Sequence, residues 1–136
     1  MKGKAITYSI VNSGIINLFW SFFVVLGLKL GSQHSDFFND TIQPAFINLF
    51  GIIFLSGLLL SLIGSFNLSL NEVWPRKVLL WGIWITIIQP SLPILLTLLM
   101  FIFGKGDIGN LVSIVICIAV SGLNFGLGKP ILKELK

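Results

Sequence analysis

Five carboxamides stand away from the ends of long apolar runs of this chain: Asn12, Asn17, Asn48, Gln89 and Asn124. A carboxamide both donates and accepts hydrogen bonds. In a hydrocarbon surrounding it can therefore contact a neutral solute, hold an ion by its dipole, or stitch one helix to another. One of the five lies in the sequence Thr86-Ile-Ile-Gln89-Pro90-Ser91-Leu92-Pro93. Neither proline has an N–H, so the carbonyls of Thr86 and Gln89, four residues earlier, lose their helical donors. Inside a membrane that deficit has to be met by other protein groups or by water. Asn17, Gln89, Ser91, Asn12 and Asn124 form the candidate polar cluster around this break.

The same runs exclude much chemistry. They contain no Asp, Glu, Lys, Arg or His, the usual marks of proton relays, ion coupling and voltage sensing in a membrane. The single histidine, His34, stands in a polar segment beside Asp36 and Asp40, so a Ser-His-Asp arrangement has no base at depth. Intramembrane aspartyl chemistry lacks its paired acids, and haem ligation lacks its histidines. The lone Cys117 allows no disulfide within one chain and no cysteine metal site, and without a basic neighbour its thiol is inert. We expect no enzymatic activity, no cofactor and no metal.

The elements that hold these amides are membrane spans. Of 136 residues, 55% are hydrophobic and 10% charged, far from a soluble average. Four uncharged apolar runs, at about 5–28, 44–66, 78–103 and 110–128, are each long enough to cross a bilayer as a helix. The fold class is therefore all-α: a single polytopic membrane domain over 1–136, a four-transmembrane-helix bundle whose third helix is broken by proline. The first run is too long for the core of a signal peptide and no small-x-small cleavage site follows it, so it reads as a span. The net charge of +4 does not point to nucleic acid, because the basic residues lie outside the runs and form no stripe interleaved with aromatics.

Small and polar residues mark the faces on which the spans meet. Ser9, Ser13, Asn17 and Ser21 recur every four residues along the first span, and Ser113, Cys117, Ser121, Asn124 and Gly128 follow one face of the fourth. The second span carries two such faces, Asn48 with Gly51 and Gly57 with Ser61 and Gly64, which predicts a central position for it. Gly122 and Gly126 add a GxxxG on another face of the fourth span. Pro44 opens the second span and Pro130 is expected to end the fourth. Trp74 and Trp81 mark a headgroup boundary, Phe37 and Phe38 an interfacial anchor, and Gly104-Lys-Gly-Asp-Ile-Gly109 a tight turn joining the last two spans. Asn67-Leu-Ser69 matches a glycosylation acceptor, here read as a chance match.

Counting ~1.5 Å of rise per residue assigns depths. Asn17 and Gln89 fall near the midplane, and Asn12 and Asn124 both roughly 7 Å toward the end that carries the termini. Asn48 falls roughly 10 Å toward the other end. The depths pair Asn12 with Asn124 and set Asn17 against the freed carbonyls.

Four spans place both termini on one side. Lys2, Lys4, Arg76, Lys77, Lys129, Lys133 and Lys136 share that side, seven against Lys29 and Lys105 on the other. Under the positive-inside rule the termini are cytoplasmic, in a plasma membrane of bacterial type. The expected partners are the lipid bilayer and either further copies of the chain or a larger membrane protein. The preferred reading is a non-catalytic, self-assembling or accessory subunit of a membrane complex, its amides clamping the broken helix. The alternative is a channel- or transporter-type bundle for a small uncharged solute or ion, with the break and the amides lining a polar pocket.

Overall fold

The structure, a computed structural model, describes residues 1–30, 38–102 and 108–135. Its regular elements there are all helical. Helix α1 (Lys2–Tyr8) runs through π-helical turns (Ser9–Ile16) into α2 (Asn17–Leu30), and a further π-helical turn (Phe38–Ile42) leads into α3 (Gln43–Phe66). Helix α4 (Trp74–Ile88) passes through a 3-10 turn (Gln89–Ser91) into α5 (Leu92–Ile102), and α6 (Ile108–Leu135) follows. Four stretches are long and apolar enough to cross a membrane: Lys2–Gly27, Asp40–Phe66, Trp74–Leu99 and Leu111–Leu135. The chain is a four-helix membrane bundle with a proline-broken third span. The readings made on His34, Asp36, Phe37 and the turn residues 104–107 lie outside the described residues.

The spans alternate in direction. Ser9 meets Ser65 while Ser13 meets Ser61, which fixes the first two as antiparallel. Gly64 lies against Leu79 while Gly57 lies against Thr86, which does the same for the second and third. The contact between α3 and α4 is close because two glycines permit it. A Cβ on Gly64 would stand 2.5 Å from the Leu79 backbone nitrogen, and one on Gly82 the same distance from that of Ser61. Along this seam the two helices approach backbone to backbone, the geometry small residues allow in membrane helices.

The third span, not the second, is the central one. In its most apolar stretch 44% of residues are buried, against 17% in each of the other three. The second span buries its Gly57, Ser61 and Gly64 face in the bundle. Asn48 is exposed on the other face, and a Cβ on Gly51 would meet nothing within 4 Å.

The ends of the helices follow local chemistry, with two exceptions. Pro75 sits in the first turn of α4, where the missing N–H costs nothing, whereas Pro44, expected to open the second span, follows the π-helical turn within a span already helical from Asp40. Asn67 closes α3, its Nδ2 and its backbone N–H both donating to the Ile63 carbonyl at 2.8 and 3.2 Å. That cap is a structural use for the residue whose motif resembles a glycosylation acceptor. Pro130, expected to end the fourth span, instead lies inside α6, which continues to Leu135. A proline within a helix costs about 3 kcal/mol. Beyond it, Ile131 and Leu132 are 4% and 5% exposed and join Ala5, Tyr8, Leu79, Ile83 and Ile87 in an apolar core. Burying two such side chains contributes about 1.5–3 kcal/mol each, enough to hold the helix together past the proline.

The glycine seam generates a prediction. Gly64→Ala and Gly82→Ala should each destabilise the bundle by about 1–3 kcal/mol, the usual effect of forcing a methyl into a filled space. Gly51→Ala should leave the melting temperature in detergent nearly unchanged. Equal shifts for all three variants would contradict the seam.

Candidate functional site

At mid-height the interior of the bundle is polar rather than apolar. Asn12, Asn17, Gln89 and Asn124 are between 0% and 2% exposed, and Thr86 is 1% exposed. The first span reaches this layer in π-helical turns, in which the Asn17 N–H donates to the Asn12 carbonyl five residues back. A wider turn presents more residues to one side. Ser9, Asn12, Ser13 and Asn17 are all buried: Ser9, Ser13 and Asn17 follow one face, and Asn12 joins them from the neighbouring bearing.

Three amides form a directed chain. Asn12 Nδ2 donates to Asn124 Oδ1 at 2.9 Å, and Asn124 Nδ2 donates to Asn17 Oδ1 at 2.9 Å. Both Asn17 Nδ2, at 3.1 Å, and Asn124 Nδ2, at 3.2 Å, donate to the Thr86 carbonyl. This is the carbonyl that Pro90 deprives of a helical partner. Two side-chain donors, from the first and fourth spans, replace the one backbone donor that is missing. The depth pairings of Asn12 with Asn124 and of Asn17 with the freed carbonyl are both present.

The remaining acceptors of the break are met more locally. The chain tightens into a 3-10 turn, and the Leu92 N–H donates to the Gln89 carbonyl, which Pro93 would otherwise leave without a backbone donor. Ser91 Oγ donates to the Ile88 carbonyl at 2.6 Å, and Trp20 Nε1 to the Pro90 carbonyl at 3.2 Å. The carbonyls of Thr86, Ile88, Gln89 and Pro90 thus all have protein donors.

Hydroxyls tie in the second span. Ser9 and Ser65 Oγ share a hydrogen bond of 2.8 Å. The Ser13 hydroxyl donates to Ser61 Oγ at 3.2 Å and shares one of 2.6 Å with Thr86 Oγ1. Near the apolar core, Tyr8 donates its phenol to the Asn124 carbonyl at 3.0 Å. Gly128 leaves room for that ring, since a Cβ there would lie 3.0 Å from the phenol oxygen.

Of the five residues the sequence nominates, Asn12, Asn17 and Asn124 share one hydrogen-bonded chain. Gln89 joins it through Ser21: its Nε2 donates to Ser21 Oγ at 2.9 Å, and Ser21 donates to the Asn17 carbonyl at 2.6 Å. Ser91 stands apart, half-buried and turned back on its own backbone. Ser65, Tyr8 and Trp20 are contributors that the spacing argument passes over. Ser65 extends the Gly57 and Ser61 face by one further turn, a signal present in the sequence. An aromatic N–H or O–H that hydrogen-bonds across a bundle leaves no such periodic mark.

Two buried oxygens among the described residues remain without a partner, Gln89 Oε1 and Ser121 Oγ. They share a level, because in antiparallel spans that align Thr86 with Asn124, one turn toward the other end brings Gln89 to Ser121. Exchanging the oxygen and nitrogen of Gln89 only moves the unmet group, since Ser21 has already given its single proton to Asn17.

No protein-family model matches the chain, and no curated protein or solved structure is significantly similar to it.

The amide chain predicts unequal costs. Asn124→Leu removes three side-chain hydrogen bonds and should destabilise by about 2 kcal/mol, at the ~0.6 kcal/mol typical of each such bond in a membrane. Asn12→Leu removes one and should cost less than half as much. Reversible unfolding in mixed micelles measures both, and a larger loss for Asn12→Leu would contradict the network.

Proposed function

We propose that this chain is a non-catalytic structural subunit that associates in the membrane with further copies of itself or with a larger membrane protein. A contrast between two sets of glycines carries this reading. Gly64 and Gly82 have a neighbouring backbone against them within the chain, whereas a Cβ on Gly122 or Gly126 would meet nothing within 4 Å, and both residues are exposed. Together with exposed Ala119 they give the outer side of α6 a shallow seam suited to the close approach of another helix. The polar groups at mid-height meanwhile bond to one another, which suits a scaffold more than a binding site. The stripe through Cys117 and Ser121 is a poor choice of outer interface: Cys117 is 1% exposed and Ser121 half-buried, so that face belongs to the bundle's own packing. In this reading the termini are cytoplasmic, in a plasma membrane of bacterial type, on the strength of the seven-to-two split of basic residues.

A second reading, permeation of a small uncharged solute or ion, is favoured by the unmet oxygens of Gln89 and Ser121 at the level of the break. It differs from the first in what it demands of Gln89. In a scaffold that side chain is dispensable for transport, while in a permeation path it contacts the solute.

In nanodiscs or mild detergent, Gly122→Leu and Gly126→Leu should reduce the fraction of protein in an oligomer or complex while leaving the melting temperature unchanged. Ser121→Leu should lower the melting temperature instead. A wild-type protein that is monomeric and partnerless, with both glycine variants silent, would remove the support for assembly. Liposome flux of ions and small neutral solutes that is present in the wild type and abolished by Gln89→Leu would favour permeation.

A further inference from the structure

The end of the bundle that carries the termini holds a cleft of about 310 Å³, lined by the ends of three spans and by the segment that follows the second. Lys2 comes from the start of α1, Leu68, Ser69 and Leu70 from the segment after α3, Arg76 from the first turn of α4, and Glu134 from the last turn of α6. Glu134 reaches the cleft only because α6 runs on past Pro130, held by buried Ile131 and Leu132.

The groups facing this space form a consistent set. Lys2 and Arg76 line it beside Met1, and the Arg76 guanidinium donates from Nη2 to the Leu70 carbonyl at 3.4 Å. A planar guanidinium beside an ammonium is the pairing that recognises phosphate oxygens. Ser69 Oγ accepts the Glu72 N–H at 3.2 Å, which leaves its own proton to donate. Glu134 faces the same cleft, and among the described residues no ion pair joins it to Lys2 or Arg76. A cleft lined by cations and a carboxylate is matched by a ligand that itself carries charges of both signs. Beside these groups Leu70 stands 90% exposed, and Val73 and Trp74 nearby are also exposed. Such a run of apolar side chains beside a mainly apolar cleft that carries a few charged groups belongs at the boundary between headgroups and acyl chains.

We infer that this cleft binds a phosphate ester bearing a primary amine, the chemistry of an aminophospholipid headgroup. Lys2, Arg76 and the Ser69 hydroxyl hold the phosphate, and Glu134 accepts hydrogen bonds from the ammonium. Leu70 lies against the glycerol and the first methylenes of the chains. The site stands whether or not the chain self-associates, since it involves no residue of the Gly122 and Gly126 seam. Basic clefts at helix ends are established places of headgroup recognition in membrane proteins; the acidic partner is what sets an amine apart here.

The experiment is lipid retention by the full-length protein, read by native mass spectrometry from detergent in titrations with phosphatidylethanolamine, phosphatidylglycerol and phosphatidylcholine. Phosphatidylethanolamine should be retained about three- to tenfold better than phosphatidylcholine, whose quaternary nitrogen has no N–H to give; this is the range for half-exposed charge-assisted contacts. Arg76→Gln should weaken phosphatidylethanolamine and phosphatidylglycerol alike. Glu134→Gln should weaken only phosphatidylethanolamine, down to the phosphatidylcholine level. Lys2→Gln, at an exposed position, gives a second test of the phosphate contact should Arg76→Gln disturb folding. O-phosphoethanolamine separates the two sources of this chemistry: competition at equal concentration assigns the site to a soluble headgroup compound, and failure to compete, with loss of retention in Leu70→Ser, assigns it to the lipid. Equal retention of the three lipids, or Glu134→Gln indistinguishable from wild type on phosphatidylethanolamine, would overturn the proposal.

Discussion

With Pro90 in the third span, the carbonyl of Thr86 has no helical donor, and the bundle answers with two side-chain amides on one oxygen, Asn17 from the first span and Asn124 from the fourth. The surrounding structure depends on this. An unmet carbonyl in hydrocarbon costs several kcal/mol, whereas an interhelical hydrogen bond in a membrane contributes only about 0.6–2 kcal/mol. The amides matter less for the stability they add than for the penalty they remove. They also set register, because only one relative height of the three spans brings both donors to that oxygen. The neighbouring contacts conform to it: Asn12 bonds to Asn124, Gln89 reaches Ser21, and Ser13 lies between Ser61 and Thr86.

This arrangement places a polar layer where a soluble bundle would have its apolar core. The apolar core lies instead toward the end with the termini, built from Ala5, Tyr8, Leu79, Ile83, Ile87, Ile131 and Leu132. The division makes physical sense for helices in lipid, where apolar burial alone gives little reason for one helix to prefer another over acyl chains. Directional hydrogen bonds and glycine-mediated backbone contact supply the specificity. The third span takes the central place because it needs the most from its neighbours: donors for its break from the first and fourth spans, and the glycine seam from the second.

Much of this was legible in the sequence. The spans follow from uncharged length, and the break follows from two prolines whose lost donors can be counted. The pairing of Asn17 with the Thr86 carbonyl follows from matching depths at a fixed rise per residue. What escaped depended on trade-offs that spacing does not reveal. A proline normally ends a helix, and nothing in the Pro130 dipeptide context says that Ile131 and Leu132 will be buried deeply enough to carry it on. Two small-residue faces on the second span suggested close neighbours on both sides, yet Asn48 is exposed and a Cβ on Gly51 would meet nothing within 4 Å. The widening of the first span at Ser9–Ile16 was equally hidden, since the spacing of its polar residues suits a regular helix. The Gln89 carbonyl, expected to need an outside donor, is met by its own 3-10 turn, a local solution that depth counting cannot see.

The central claim is that the break in the third span is closed by side-chain amides. It is tested most directly by isotope-edited infrared spectroscopy with a ¹³C=¹⁸O label at the Thr86 carbonyl, in lipid bilayers, with the Ile87 carbonyl labelled as reference. Two donors on one oxygen predict a narrow Thr86 band at lower frequency than that of Ile87, moving upward when either Asn17 or Asn124 is replaced by leucine. A broad band typical of a hydrated carbonyl, unmoved by either replacement, would show that water fills the break and that the amides serve some other purpose.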